Sequence, residues 1–127
     1  MPKSMIAKSI AVDFDGVISA YKGWQGKGVF EPPVDGCAKF LRELKGREWV
    51  IIVFTTRKET SMVRDYLAKH EIPFDFINYN PENITQGLSS KKVLADVYLD
   101  DRAIRFNGMW DNDLLDLIEI SKVWWRK

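Results

Sequence analysis

Asp13 and Asp15 stand one residue apart, with Gly16 directly after them. A carboxylate can act as a covalent nucleophile and form an aspartyl-phosphate. A second carboxylate two residues on can protonate a leaving group and then activate water. Gly16 permits the sharp turn that lets Asp15 reach back. Asp-Gly is also a common turn dipeptide, so this pair has a plain structural use as well. Further along come Thr55-Thr56-Arg57 and Asp100-Asp101-Arg102. These too have plain uses: the threonines can cap a helix, and the paired acids can be a solvated loop. Drawn together, the four carboxylates would repel one another, and some would have to protonate. A hard divalent cation resolves this, and oxygen-only ligands favour Mg²⁺ over Zn²⁺. Asp13, Asp15, Asp100 and Asp101 are therefore candidate Mg²⁺ ligands. Thr55 and Thr56, Arg57 and Arg102, and Lys91 and Lys92 are candidate partners for phosphate oxygens.

Such a cluster needs a scaffold that brings distant residues together. Ser9-Ile10-Ala11-Val12 is a short apolar run ending at Asp13 and reads as a buried strand. Residues 16–33 are rich in Gly and end in Pro32-Pro33, which predicts a long loop or hairpin. Val34, Cys37, Phe40, Leu41 and Leu44 then fall at helical spacing, with Gly46 as a stop. Trp49 to Thr55 reads as a central strand. Met62, Val63, Tyr66 and Leu67 mark a second helix that closes before Pro73. Phe74 to Ile77 reads as a short strand, residues 78–91 as irregular, and Val93 to Leu99 as a further strand. Asp111-Asn112-Asp113 offers helix-capping chemistry before Leu114, Leu117 and Ile118. This alternation is the signature of an α/β fold: a three-layer, Rossmann-like arrangement around a mainly parallel sheet. In such sheets ligands bind beyond the carboxyl ends of the strands. That is where Asp13, Thr55 and Asp100 fall.

Length and composition set limits on this reading. The chain has 127 residues, 46% of them hydrophobic and 29% charged, which fits one globular domain. Its formal net charge is +1, so a strongly basic nucleic-acid footprint is missing at the level of the whole chain. The longest apolar run, Trp49 to Phe54, is six residues. A membrane helix needs about 20, so no membrane partner is expected. The single cysteine, Cys37, excludes an intramolecular disulfide and a Cys-rich metal site. A soluble, cytoplasmic protein is the expectation.

The residues at the strand ends resemble a known family. Ile10-Ala11-Val12-Asp13-Phe14-Asp15-Gly16-Val17 is similar to the first motif of the haloacid dehalogenase-like (HAD) superfamily. Val53-Phe54-Thr55 resembles its second motif, and Val97-Tyr98-Leu99-Asp100-Asp101 its fourth. The resemblance implies a Mg²⁺-dependent phosphohydrolase. Asp13 would be nucleophile and metal ligand. Asp15 would be general acid/base and would lend its backbone carbonyl to the metal. Thr55 would hold phosphoryl oxygens. Asp101 would bind the metal directly, with Asp100 beside it. The third motif is a lysine, taken by Lys92, with Lys91 the alternative. Here the chain departs from the commoner pattern, because only a short segment separates that lysine from the fourth motif. Thr55-Thr56-Arg57 with Asp100-Asp101-Arg102 also resembles the phosphatase domains of polynucleotide kinase-phosphatases, in which an arginine at the position of Arg57 contacts phosphate.

Many relatives carry a cap domain over the site. Residues 17–33 are long enough for a flap but not for a domain. The segment between Thr56 and Lys92 is taken up by a helix, a short strand and an irregular stretch. The chain resembles the capless type, which often acts on large substrates or borrows a neighbouring subunit as a lid. Tyr21, Lys22, Trp24, Lys27 and Phe30 interleave bases and aromatics in the flap. They would contact a nucleic-acid end, or Trp24 and Phe30 would pack the flap down. Trp124 and Trp125 read as packing residues, with a contact in a homo-oligomer as the alternative. His70 reads as a helix-end residue, and Cys37 as core. The substrate class stays open: small phosphate ester, nucleotide, phosphoprotein, or nucleic-acid 3′-phosphate end. A non-catalytic binding or regulatory module on the same fold, and phosphoryl transfer to another acceptor, are the competing readings.

Overall fold

The computed structural model describes residues 7–87 and 92–126. Eight elements follow in chain order: β1 (Ser9–Asp13), α1 (Cys37–Gly46), β2 (Val50–Phe54), α2 (Thr60–Lys69), β3 (Phe76–Ile77), α3 (Pro81–Thr85), β4 (Val97–Leu99) and α4 (Asn112–Ile120). The four strands form one all-parallel sheet in the order β3-β2-β1-β4. This is the expected α/β, Rossmann-like architecture. Parallel strands are buried on both faces, and that is why β1 and β2 read as unbroken apolar runs.

The register decides what meets at the strand ends. Asp13 pairs with Phe54 across β1 and β2, and Val12 pairs with Leu99 across β1 and β4. Asp13, Thr55 and Asp100 therefore leave three neighbouring strands at one level. The larger core lies on one face of the sheet. There Ile10, Val12, Ile51 and Val53 pack under Leu41 of α1 and Val63 and Leu67 of α2. A smaller cluster on the other face joins Ala11, Ile52 and Val93.

Several boundaries differ from the sequence expectation, each for a visible reason. Helix α1 begins at Cys37 rather than Val34, because Val34 N–H donates to Ile18 O over 2.8 Å and stays with the flap. Ala20 N–H donates to Pro32 O over 2.8 Å, so residues 17–33 close at their base like a hairpin. The stretch expected to be irregular over 78–91 contains α3: the Asn80 side chain accepts from Glu82 N–H over 3.0 Å, and Pro81 opens the helix. Strand β4 is shorter than Val93 to Leu99. Leu94 is tied instead to the α3 region, accepting from Asn80 Nδ2 at 2.6 Å and donating to Asn83 Oδ1 at 2.9 Å. Strand β3 is likewise trimmed to Phe76–Ile77, while Phe74 packs against the core. Asp111 caps α4 as expected, accepting from Leu114 N–H over 2.9 Å. Cys37 is half-buried at the edge of the core, and His70 ends α2 with its ring 4.5 Å from that of Tyr66. No helix among the described residues is long and apolar enough to cross a membrane.

Candidate active site

The site is a cavity of about 490 Å³ at the carboxyl ends of β1, β2 and β4. Asp13, Asp15, Thr55, Arg57, Asp100 and Asp101 all line it. One carboxylate oxygen from each of Asp13, Asp100 and Asp101 falls within a group no wider than 4.8 Å. Asp13 Oδ1 accepts from Phe14 N–H over 2.9 Å, and Asp100 Oδ1 accepts from Arg102 N–H over 2.7 Å. Asp101 Oδ2 accepts from the indole N–H of Trp125 over 2.7 Å. Its other oxygen, Oδ1, is buried and has no hydrogen-bond partner among the described residues. A buried carboxylate oxygen without a donor is costly unless a cation meets it.

The electrostatics point the same way. The Asp13 carboxyl is pushed up from 3.8 to about 8. Burial is the main cause, followed by the neighbouring Asp101 carboxyl and the charge of Asp100. The Phe14 N–H opposes the shift. Three crowded carboxyls cannot all be anionic without a counter-charge. An all-oxygen donor set of this kind fits a hard divalent cation such as Mg²⁺.

Asp15 is arranged differently. Its two oxygens accept from Arg57 Nε at 2.8 Å and Nη2 at 3.0 Å, a bidentate pair. Arg57 is only 8% exposed. It also donates to Val29 O over 3.2 Å and lies against the rings of Phe30 and Trp24, at 4.5 and 5.1 Å. The guanidinium expected on phosphate thus ties Asp15 to the flap. Phe30 packs the flap down, edge-on to Phe14 and tilted on Tyr66, as the packing alternative has it. Trp24 does not: it is 61% exposed and lines the cavity.

Thr55 is held at the end of β2 by an asparagine clamp. Asn78 Oδ1 accepts from Thr55 N–H over 2.8 Å, and Asn78 Nδ2 donates to Thr55 O over 3.0 Å. Asn78 reaches both groups from a left-handed backbone, φ 53°, a conformation asparagine tolerates. Thr55 Oγ1 accepts from Arg57 N–H over 3.1 Å, which leaves its hydroxyl proton free to face a substrate oxygen. Lys92 does not line the cavity; its ammonium stands 5.0 Å over the Tyr98 ring. Lys91 lies outside the described residues.

The cavity also takes in Arg102, together with flap residues that the sequence offered as nucleic-acid contacts and residues given no role from the sequence. Tyr21, Trp24 and Lys27 come from the flap, Lys58 follows Arg57, and Arg102 follows the paired acids. Position directly after a strand end was the available signal for Lys58 and Arg102. Trp125 carried no such signal. It packs edge-on to Tyr21 at 5.0 Å, while Trp124 donates its indole N–H to Gly16 O over 2.6 Å. Gly16 adopts φ 91°, and a Cβ there would overlap Asp101 Oδ2 and stand 2.7 Å from Trp125 Nε1. The glycine is required by both its backbone and its neighbours.

No family model and no curated protein matches the chain. Two solved structures resemble it. One is a conserved protein from Bacteroides thetaiotaomicron, with TM-score 0.61 and 24% identity over 93% of this chain and 94% of that one. The other is the crystal structure of a target protein from Vibrio cholerae, with TM-score 0.50 and 23% identity over 91% of this chain and 99% of that one. At these identities the likeness is one of fold: a parallel-sheet α/β architecture shared over nearly the whole length.

Proposed function

We propose that this chain is a Mg²⁺-dependent phosphohydrolase of the haloacid dehalogenase-like superfamily, working through an aspartyl-phosphate on Asp13. The observation that carries the reading is the gathering of Asp13, Asp100 and Asp101 within 4.8 Å, beside Thr55, at the carboxyl ends of adjacent parallel strands. Asp13 and Asp101 would hold the cation, with Asp100 and the Asp15 backbone carbonyl beside them. When bound, Mg²⁺ would offset the negative charge of the carboxylates and of the phosphoryl group.

The residues of the chain do the rest. An Asp13 carboxylate oxygen forms a bond to phosphorus as the ester P–O bond breaks. The departing alkoxide takes a proton from Asp15. Asp15, now a base, takes a proton from water as the water oxygen attacks phosphorus. The bond between Asp13 and phosphorus breaks, which releases inorganic phosphate and restores the Asp13 carboxylate. Thr55 donates its hydroxyl to a phosphoryl oxygen throughout. In the present arrangement both Asp15 oxygens accept from Arg57, so Asp15 must turn away from the guanidinium and take up a proton from solvent before it can donate one. Arg57 would then be available to the substrate phosphate, the role the sequence resemblance gives it.

The test is Mg²⁺-dependent release of phosphate from an aryl phosphate, with Asp13→Asn as control. Equal activity in the two proteins would remove Asp13 from the mechanism. A nucleic-acid 3′-phosphate end is the second reading for the substrate. It is favoured by the exposed Trp24 ring beside Lys27 and Lys58 in the cavity wall. Faster turnover of a 3′-phosphorylated oligonucleotide than of the aryl ester would select it.

A further inference from the structure

After Arg102 the chain leaves the site, and at Trp125 it returns to the Asp101 carboxylate. Between Arg102 and Lys122 no residue is buried. The segment is nonetheless apolar. From Phe106 to Ile120, seven large apolar side chains are at least 44% exposed, with Trp110 at 87% and Ile120 at 75%. Helix α4, which sits in this arm, contains no buried residue. Its sequence, NDLLDLIEI, gives it apolar residues that a helix of this length would ordinarily bury. Exposed apolar surface on this scale marks a binding surface.

Among the described residues a second apolar surface is left uncovered. Helices α1 and α2 cover β1 and β2 on the main core face. Beside α1, above the edge strand β4, there is an apolar groove of about 390 Å³. Val12, Ile18 and Leu99 line it, with Val34, Phe40 and Leu41. Phe40 is 60% exposed, and Leu99 is exposed as well. The charges match too. Helix α4 carries Asp113, Asp116 and Glu119 and no base. Helix α1 carries Lys39, Arg42 and Lys45 against Glu43, with Lys45 already held by Asp75.

We propose that this arm docks on a second copy of the chain, its α4 seated in the partner's groove between α1 and β4, in a two-fold reciprocal dimer. Area supports a second copy as the occupant. Seven half-exposed large side chains offer roughly 100 Å² each, so the arm alone supplies roughly 700 Å². A stable interface needs about 800 Å² per partner. Each copy also contributes its groove, which closes the gap. Reciprocity satisfies both unpartnered surfaces with one contact, as two-fold symmetry requires. The acidic helix facing the more basic one fixes the orientation. This inference does not depend on the proposed chemistry.

Sedimentation equilibrium of the full chain tests it. The expected mass is twice that of one chain. Leu117→Glu with Ile118→Glu, on the arm, should raise the dissociation constant at least about 100-fold. Phe40→Glu, on the groove, should do the same from the other side. Both variants should keep the native circular-dichroism spectrum, because none of the three residues is buried within the chain. A monomeric wild-type chain would overturn the proposal, since α4 would then have to fold back on its own groove or stay bare. An assembly that persists in either variant would overturn it too. Loss of the assembly in both folded variants is the supporting result.

Discussion

Trp125 donates its indole N–H to Asp101 Oδ2 over 2.7 Å, across 24 residues of sequence. The bond fixes which Asp101 oxygen is occupied and leaves the other, Oδ1, buried without a partner among the described residues. A ligand carboxylate oriented by a neighbouring donor in this way binds its cation more tightly, and losing such a donor typically costs 10–100-fold in affinity. Trp125→Phe keeps the ring against Tyr21 and removes only the N–H. Its Mg²⁺ dissociation constant, measured by calorimetric titration, should rise by about 10-fold or more. The melting temperature without cation should fall as well, because the part-buried Asp101 carboxylate loses a donor. An unchanged Mg²⁺ affinity would reduce Trp125 to a packing residue.

The Asp13 carboxyl sets a pH dependence with a definite sign. It titrates near 3.8 in the unfolded chain and near 8 in the folded one. Between those values the folded state holds a proton that the unfolded state has lost. Stability of the cation-free protein should therefore fall as pH rises from about 4 to about 8. Asp13→Asn should flatten that slope and raise the melting temperature at the alkaline end. Cation binding must displace the same proton, so Mg²⁺ should raise the melting temperature more at about pH 8.5 than at about pH 6. A thermal-unfolding series at several pH values, with and without Mg²⁺, reads both effects.

How far the sequence reached depends on the range of the forces involved. Strands β1 and β2 were legible because burial on both faces leaves an unbroken apolar run. Asp13, Thr55 and Asp100 were legible because residues directly after such runs leave the sheet together. Helix α3 was missed although Asn80-Pro81-Glu82 carries its start signal; five residues give no apolar period to notice. The partner of Arg57 was not legible either. Its pairing with Asp15 spans 42 residues and depends on how the flap folds back, which no local pattern encodes. The same holds for Trp124, whose bond to Gly16 O spans 108 residues. Tryptophans near a chain end look alike whether they pack, pair with another copy or orient a ligand.

The buried Arg57 joins Asp15, Val29 and Phe30, and its removal should show in stability as well as in catalysis. Breaking a buried ion pair by deleting one partner costs on the order of 3 kcal/mol. Arg57→Ala should lose about that much in urea unfolding. It should also speed proteolysis within residues 17–33. Arg57→Lys keeps the charge but loses the bidentate geometry, so it should fall between the two. Flap cleavage at the wild-type rate in Arg57→Ala would mean that Phe30 and the hairpin base hold the flap without it.

Asn78 offers the cleanest separation of positioning from chemistry. It contacts Thr55 only through that residue's backbone, with an accepted bond of 2.8 Å and a donated one of 3.0 Å. It lies outside the residues lining the cavity. Asn78→Ala removes both bonds and places alanine in a left-handed conformation it tolerates poorly. Asn78→Gly removes the bonds but accepts the backbone. The glycine variant should therefore be the more stable of the two, while both should lose phosphate release about equally. Each hydrogen bond contributes on the order of 1 kcal/mol to holding Thr55, so a drop of about 10-fold in kcat is expected. Inorganic phosphate should bind more weakly to both, because the Thr55 hydroxyl is no longer held at the end of β2. If the glycine variant keeps wild-type kcat, strand β2 alone positions Thr55 and the clamp serves only the turn.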